Sequence, residues 1–166
     1  MNRRWAIGAQ LGWTSLSIQH GEKQKVTFGM LELAGRFRIR PPAELALVLT
    51  GGGTAGDIGL GGLYIEFRYR FRAEEKWNLY ALVGLGVMSA SQKMASDVEK
   101  EGRGSVRLGG GLERRFGSFG ADVELRLVGI GENTKAPEPM MPSTAGQLSR
   151  YGLSGGSLMI GVTYYF

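Results

Sequence analysis

The sequence predicts an all-β fold in which eight antiparallel strands follow one another in an up-and-down meander that closes into a barrel. Three observations predict it. Apolar and polar residues alternate along most of the 166 residues, which is the period of a strand. Turn residues divide this pattern into eight segments. The connections between the segments are alternately short and long, as expected for consecutive hairpins.

Each predicted strand is bounded by residues that interrupt the alternation. Pro41-Pro42 follows the second strand, and proline cannot donate a hydrogen bond to a ladder. Gly117-Ser118 is a tight turn between the sixth and seventh strands. The predicted strands span residues 5–14, 31–40, 44–50, 63–72, 77–88, 106–116, 119–127 and 158–166.

The four long connections are predicted to be loops at one end of the sheet. They span residues 17–26, 51–62, 89–104 and 131–154. Closure of the meander into a barrel removes the exposed edges of its first and last strands.

The alternation alone leaves two barrels open, a soluble lipocalin-like carrier with an apolar interior and a transmembrane barrel with an apolar exterior. Most apolar faces are continuous for about 10 residues, which suits a tilted strand that crosses a bilayer. A soluble eight-stranded barrel has limited room inside for so many large side chains. The opposite faces mix charged residues with small ones such as Gly8, Gly84 and Gly109, which fit a crowded lumen.

Lysine and arginine are distributed differently along the chain. All six lysines fall in predicted loops or turns, whereas most of the fourteen arginines lie in predicted strands. A buried ion pair favours the planar guanidinium group with its five donors, whereas a strand face in water would use lysine freely. The polar faces are therefore predicted to be interior, and residues 1–166 are predicted to form a single transmembrane β-barrel domain in a lipid bilayer.

The predicted interior carries a polar network that is nearly balanced in charge. Nine arginines and five acidic residues take inward positions, and three of the arginines, Arg40, Arg72 and Arg115, lie at the short-turn rim. The network is predicted to comprise Glu32, Arg36, Arg38, Glu66, Arg68, Arg70, Arg107, Glu113, Asp122, Glu124 and Arg126, with hydroxyl partners from Tyr64, Tyr80 and Tyr165. Unpaired ions are costly in such a place, so we expect these groups to be paired. Because eight strands leave little more than side-chain room, we expect a plugged lumen, with a narrow gated pore as the alternative.

Aromatic residues gather at the strand ends on the side of the short turns. They are Trp5, Phe37, Phe71, Trp77, Phe116, Phe119, Tyr164 and Phe166. The β-propensity of aromatic residues accounts for their number but not for this clustering. The position is that of an interfacial girdle at a membrane surface.

The even meander, the long loops at one end and the last strand, residues 158–166 ending in Phe166, resemble small bacterial outer-membrane β-barrel proteins of the OmpA/OmpX type. The resemblance covers the whole chain and is architectural, with only the last strand as a signature. It implies a monomer in the bacterial outer membrane and recognition of the last strand by the outer-membrane assembly machinery. We expect a non-enzymatic role, because no catalytic constellation is visible in the sequence. The role is expected to be either membrane integrity or contact with an extracellular ligand through the loops, which is where a scaffold places function. The peptidoglycan-binding domain of full OmpA-type proteins has no counterpart here.

Catalytic, metal and nucleic-acid functions are not predicted, and neither is a cofactor. Lipid A deacylases of similar architecture carry a His-x-Ser pair on a late strand, whereas the only histidine here reads His20-Gly21-Glu22 in the first loop. Asp97, Glu99 and Glu101 lack calcium-loop spacing. The net charge of +5 arises largely from predicted internal arginines, which leaves no exposed basic stripe for nucleic acid.

The sequence predicts neither a membrane-spanning helix nor a secretory signal. No run approaches the roughly 20 apolar residues of a spanning helix. The basic residues near position 1 are not followed by the apolar block of a secretory signal. The chain is therefore expected to be either intracellular or a mature form with an added start methionine.

Overall fold

The computed structural model describes residues 4–18, 25–54, 58–71, 75–92, 102–132 and 151–166. Eight strands form one closed antiparallel barrel in which neighbours in the chain are neighbours in the sheet. They are β1 (Trp5–Ile18), β2 (Lys25–Arg40), β3 (Ala43–Gly53), β4 (Ile58–Arg70), β5 (Trp77–Gln92), β6 (Arg103–Phe116), β7 (Phe119–Ile130) and β8 (Leu153–Tyr165). The predicted all-β eight-stranded meander barrel is confirmed. The described residues include no helix that is long and apolar enough to span a membrane.

Closure joins the first strand to the last. β1 and β8 pair antiparallel from Ala6 opposite Tyr165 to Ile18 opposite Leu153. The amide of Phe166 donates to the carbonyl of Trp5 at 3.0 Å. Each strand therefore has a hydrogen-bonded neighbour on both sides, and the sheet offers no edge strand to another chain.

The turns at the short-turn end follow the local sequence. Gly117 has a φ of 64°, a left-handed conformation that two-residue hairpin turns use and that glycine adopts without steric cost. The register between β2 and β3 shifts between Arg38 and Arg40, and Ile39 and Arg40 are both exposed. Arg40 is therefore not inward, which corrects the prediction for this rim position. Arg72, also predicted there, lies outside the described residues.

At the opposite end the strands are longer than predicted. The segment 51–62, predicted as a glycine-rich loop, is largely a hairpin in which Gly51 pairs with Gly61 and Gly53 with Gly59. Glycine weakens an isolated strand, but here the ladder on both sides holds the backbone extended, because β-propensity yields to tertiary pairing. Lys25, predicted in a loop, is the first residue of β2 and is exposed. Most of the other three predicted loops lies outside the described residues.

Candidate functional site

The outer surface of the barrel toward the short turns is an apolar band. Leu125 and Leu127 on β7 are 64% and 66% exposed, whereas Arg126 between them is 4% exposed. The same reversal occurs on β4, where Ile65 is exposed and Glu66 is buried. The leucine rows therefore face outward and the charged rows face inward, which is the opposite of the arrangement required by a soluble lipocalin-like carrier.

The eight predicted girdle residues form a partly connected aromatic rim at the short-turn end. Seven of them are exposed, and Phe37 is half-buried. The rings of Trp5 and Phe37 are 4.7 Å apart between centroids, and those of Phe119 and Tyr164 are 5.0 Å apart. Tyr164 also stacks on Phe166 at 6.1 Å. These contacts link aromatic residues of neighbouring strands around part of the barrel.

A closed cycle of alternating glutamates and arginines, here called the charge ring, crosses the lumen. Its members are Glu32 of β2, Glu66 and Arg68 of β4, Arg107 of β6, and Glu124 and Arg126 of β7. Arg68 Nη2 donates to Glu66 at 2.9 Å, and its Nη1 lies 3.1 Å from Glu124. Glu124 also accepts from Arg126. Arg68 thus bridges two carboxylates from opposite parts of the barrel wall.

Glu32 closes the other side of the charge ring. One of its carboxylate oxygens lies 2.5 Å from Arg126 Nη1, and the other lies 2.8 Å from Arg107 Nη2. Arg107 Nη1 then donates to Glu66 at 3.1 Å. Every carboxylate of the ring therefore contacts two guanidinium groups, which is the compensation that buried charges require.

Neutral polar groups extend the charge ring. Tyr80 donates to Glu124 at 2.7 Å. Gln10 accepts from Arg126 at 2.6 Å and donates to Asp122 at 2.5 Å. The network therefore continues on β1 and β5, so that six of the eight strands hold one another through buried polar contacts.

A second charged cluster, here called the rim cluster, lies nearer the short turns. Arg70 donates twice to Glu113, at 2.8 and 3.1 Å, and once to Glu44 at 2.8 Å. Tyr165 donates to Glu113 at 2.6 Å and accepts from Arg70 at 2.9 Å. Arg115 reaches the same glutamate at 2.7 Å. Glu113 is fully buried and accepts from three side chains, so it is the main anion of the cluster.

Arg36 links the two clusters by charge. It is 1% exposed, and its guanidinium nitrogens lie 3.8 Å from Glu113 and 4.0 Å from Asp122. Both distances exceed that of a hydrogen bond. With this residue the two clusters comprise the arginines Arg36, Arg38, Arg68, Arg70, Arg107, Arg115 and Arg126 and the acids Glu32, Glu44, Glu66, Glu113, Asp122 and Glu124. The charges almost cancel.

On the long-loop side of the charge ring the lumen is filled by large apolar side chains, here called the apolar plug. They are Leu16, Ile18, Phe28, Met30, Leu60, Met88, Val128, Ile130, Leu153 and Met159. Leu16 and Phe28 are 0% exposed, as in the core of a soluble protein. A cavity of about 10 Å³ lies between plug and ring, lined in part by Met30, Glu32 and Arg107. It has room for about one water molecule.

The outward residues around the apolar plug are small or polar. Outward positions there include Ser15, Ser17, Thr27, Gly51, Gly53, Ser89, Gly129 and Gly156. A Cβ atom added at Gly51 would meet nothing within 4 Å, so close packing does not require glycine there. Both faces of the strands therefore change character at this level: the inside changes from charged to apolar and the outside from apolar to polar.

The structure brings together the residues predicted for the interior. Thirteen of the fourteen are buried, and Arg38 is half-buried, 3.3 Å from Glu44. Tyr64, also predicted, bonds Ser105 at 2.7 Å and lies beneath the Arg107 guanidinium group at 3.4 Å. Sequence reasoning missed Glu44, although the outward position of Leu45 places it inside by parity.

Other interior groups were missed as well. Gln10 lies on a face that the sequence marks as polar, so the same parity argument identifies it. The buried Arg103 donates to the carbonyl of Tyr151 at 2.9 Å. It was missed because the sixth strand begins earlier than predicted. Most of the apolar plug was missed for the same reason, since it lies on strand extensions beyond the predicted strands. Ile18, Leu60 and Leu153 fall in predicted loops, whereas Met88 and Met159 already lie on the inward faces of predicted strands.

The chain has the fold of small outer-membrane barrels. Neisserial surface protein A (NspA) is 15% identical, with a TM-score of 0.74 over 98% of this chain and 97% of that one. OprG from Pseudomonas aeruginosa is 13% identical, with a TM-score of 0.58 over 99% and 97%. The outer membrane enzyme PagL is 18% identical, with a TM-score of 0.54 over 94% and 97%. No protein-family description and no curated protein sequence matches this chain.

These similarities show the fold alone, so any catalytic or metal-binding activity has to be inferred from the residues of this chain. The fold accommodates an enzyme, since PagL is one. Within the described residues there is no group of three or more histidine, cysteine or acidic side chains that could hold a metal ion. His20, Asp97, Glu99 and Glu101 lie outside the described residues.

Proposed function

We propose that this chain is an integral protein of the bacterial outer membrane, a closed barrel that acts without catalysis. Its role is either to support membrane integrity or to contact a ligand or surface through the long-loop end. The observation that carries the proposal is the reversal of polarity along the barrel axis. The short-turn half, with an apolar exterior and a charged interior, is suited to contact with lipid. The long-loop half, with a polar exterior and an apolar interior, is suited to contact with water.

The height of the apolar band fits a bilayer. On β5 the outward apolar row runs from Trp77 to Val87. With a rise of about 3.3 Å per residue and a tilt of about 40°, this row spans about 25 Å, the height of the apolar band of outer-membrane barrels. The aromatic rim bounds the band on one side, and the serine and glycine positions bound it on the other. We assign the aromatic rim to the interfacial girdle.

The direct test is insertion into phospholipid vesicles. The refolded protein is expected to migrate on an unheated gel differently from a boiled sample, and to need a detergent or lipid to stay monomeric. A protein that is monomeric and β-rich without any amphiphile would contradict the proposal.

A closed lumen is the second part of the proposal. The charge ring spans the barrel, the apolar plug covers it, and the cavity between them has room for about one water molecule. In planar bilayers we expect no steady ion-selective steps. Such steps, abolished by Glu66→Ala or Arg68→Ala, would support the gated pore instead.

The absence of catalysis is proposed from the residues and not from the fold. The sequence has one histidine, His20, with no His-x-Ser pair on β8. Lipid A from cells that express the protein is expected to keep its acyl pattern. A changed pattern that depends on His20 would overturn this part of the proposal.

The last strand is proposed as the contact for the outer-membrane assembly machinery. It is followed directly by Phe166, which is 56% exposed and lies at the aromatic rim. Deletion of Phe166 is expected to slow insertion in cells while leaving refolding into vesicles intact. Equal insertion in cells with and without Phe166 would contradict this assignment.

A further inference from the structure

One charged residue interrupts the apolar band. Among the outward positions of the band in the described strands, Arg114 on β6 is the single charged side chain. Its guanidinium carbon lies 5.0 Å from the ring centroid of Trp77 and 4.8 Å from that of Phe116. Two faces of aromatic rings therefore hold the group at the rim, and its polar edge remains exposed.

The surroundings of Arg114 are open and include a second basic residue. Across the ladder on one side lies Trp77, and on the other lies Ala121, whose methyl group leaves that side uncovered. The neighbouring Lys76 is exposed, and its carbonyl accepts from the amide of Arg115 at 2.8 Å. The backbone of Lys76 is therefore held next to β6, and Lys76 and Arg114 lie at the same part of the rim, with the exposed Glu75 beside them.

We propose that Arg114 and Lys76, with Trp77 and Phe116, form a binding site for the phosphate of an anionic phospholipid headgroup. The inference rests on the proposed membrane location. A planar guanidinium can donate two parallel hydrogen bonds to a phosphate, and stacking on the rings orients it for that geometry. The apolar row above it, which includes Leu112 and Leu79, would contact the acyl chains of the same lipid.

The adjacency of charge and apolar wall favours a lipid over free phosphate. A soluble anion would gain only the charged contacts, whereas a phospholipid also contacts the apolar row. One basic residue near an anionic membrane surface contributes about 1 kcal/mol, so we expect Arg114 to give about fivefold preference for an anionic over a zwitterionic lipid, with a smaller addition from the more loosely placed Lys76.

The test uses Trp77 as a reporter. In the full chain with Trp5→Phe and Trp13→Phe, Trp77 is the remaining tryptophan. Its fluorescence is measured in phosphatidylcholine vesicles that contain either brominated phosphatidylglycerol or brominated phosphatidylcholine at equal fraction. We expect about fivefold stronger association of the anionic lipid with the reporter. Arg114→Gln is expected to remove most of the preference, and Lys76→Gln to reduce it by a smaller factor.

Matched controls separate the possible outcomes. Arg40→Gln alters an exposed rim arginine on β2 and is expected to leave the preference intact. A second reporter, Trp13 in a Trp5→Phe/Trp77→Phe chain, lies outside the short-turn rim and is expected to show no preference. A preference that persists in both Arg114→Gln and Lys76→Gln overturns the site, as does equal quenching by the two lipids.

Two further results have distinct meanings. Loss of the preference on addition of excess inorganic phosphate overturns the assignment to a lipid, because the site would then recognise the free anion. If neither brominated lipid quenches Trp77, the chain is not embedded, and the proposed membrane location fails together with this inference. Quenching without preference contradicts the inference alone. If Arg114→Gln does not fold, Lys76→Gln still decides, since an unchanged preference there contradicts the site.

Discussion

The short-turn half and the long-loop half of the barrel apply the same alternation in opposite senses. On β7, Arg126 points inward between exposed leucines, whereas two residues further Val128 is buried beside the outward Gly129. The strand and its parity do not change between these positions. The period of two therefore specifies a strand and its two faces, but it does not specify which face is apolar, because the polarity of the two faces reverses between the two halves.

The two interiors also differ in how they hold the wall together. In the short-turn half, directional ion pairs connect specific strands, so each partner depends on the others. In the long-loop half, the apolar side chains contribute through burial and close packing, which tolerate changes of similar volume. Substitutions in the two halves are therefore expected to fail in different ways.

The largest effect is expected in the charge ring. Glu124→Gln removes the anion that Arg68 and Arg126 share and leaves two buried guanidinium groups with incomplete compensation. The loss in the free energy of unfolding is expected to be about 3–5 kcal/mol, measured by urea unfolding in vesicles. Glu132→Gln, at an exposed position of the same chain, is the matched control and is expected to change little. Equal losses for both would show that the ring does not stabilise the barrel.

A second prediction concerns the apolar plug. Leu16→Ala removes buried methyl groups from a packed region and is expected to cost about 2–5 kcal/mol. Leu16→Met keeps similar volume and is expected to cost less than about 1.5 kcal/mol. Two variants of equal and small effect would indicate that the long-loop half of the lumen is loosely packed.

The outer surface offers a comparison on one strand. Leu47→Arg places a charge within the apolar band and is expected to cost about 2–4 kcal/mol in vesicles, because the group must leave lipid. Gly51→Arg, four positions along β3, is expected to cost about 0–1 kcal/mol, since nothing lies within 4 Å of its Cβ position. Equal costs at the two positions would contradict the boundary between apolar and polar exterior.

The smallest effect is expected at the aromatic rim. The contact between Trp5 and Phe37 is expected to contribute about 0.5–1.5 kcal/mol beyond burial, measured as the coupling in a double-mutant cycle with leucine at each site. Trp5 and Phe119 serve as the reference pair for a second cycle, because they lie on β1 and β7, which are separated by β8. Coupling no larger than that reference would show that the rim residues act singly.

The sequence could predict the barrel and most of its charged interior. Parity along a strand fixes the face of every residue once one face is assigned, so Glu66, Arg68 and Glu124 follow from the positions of the leucines between them. The same rule also identifies Glu44 and Arg114, which were missed because they flank a strand start and an apolar run. Both residues could therefore have been assigned from the sequence alone.

Local alternation of apolar and polar residues does not specify the apolar plug or the closure of the charge ring. The outward residues around the plug, such as Ser15 and Gly51, resemble turn signals, so the strands were ended too early and inward residues such as Leu16 and Phe28 were not assigned. The order of contacts in the ring depends on register and stagger across several strands, which local alternation does not specify.

A depth profile along β5 tests the reversal of polarity along the barrel most directly. The chain has no cysteine, so single cysteines can be introduced at Val83, Leu85, Val87, Ser89 and Ser91 and spin-labelled in vesicles. We expect high accessibility to oxygen and low accessibility to a water-soluble nickel complex from Val83 to Val87, with the reverse at Ser89 and Ser91. A profile that is aqueous at Leu85, or lipid-like through Ser91, would contradict the reversal of polarity along the barrel.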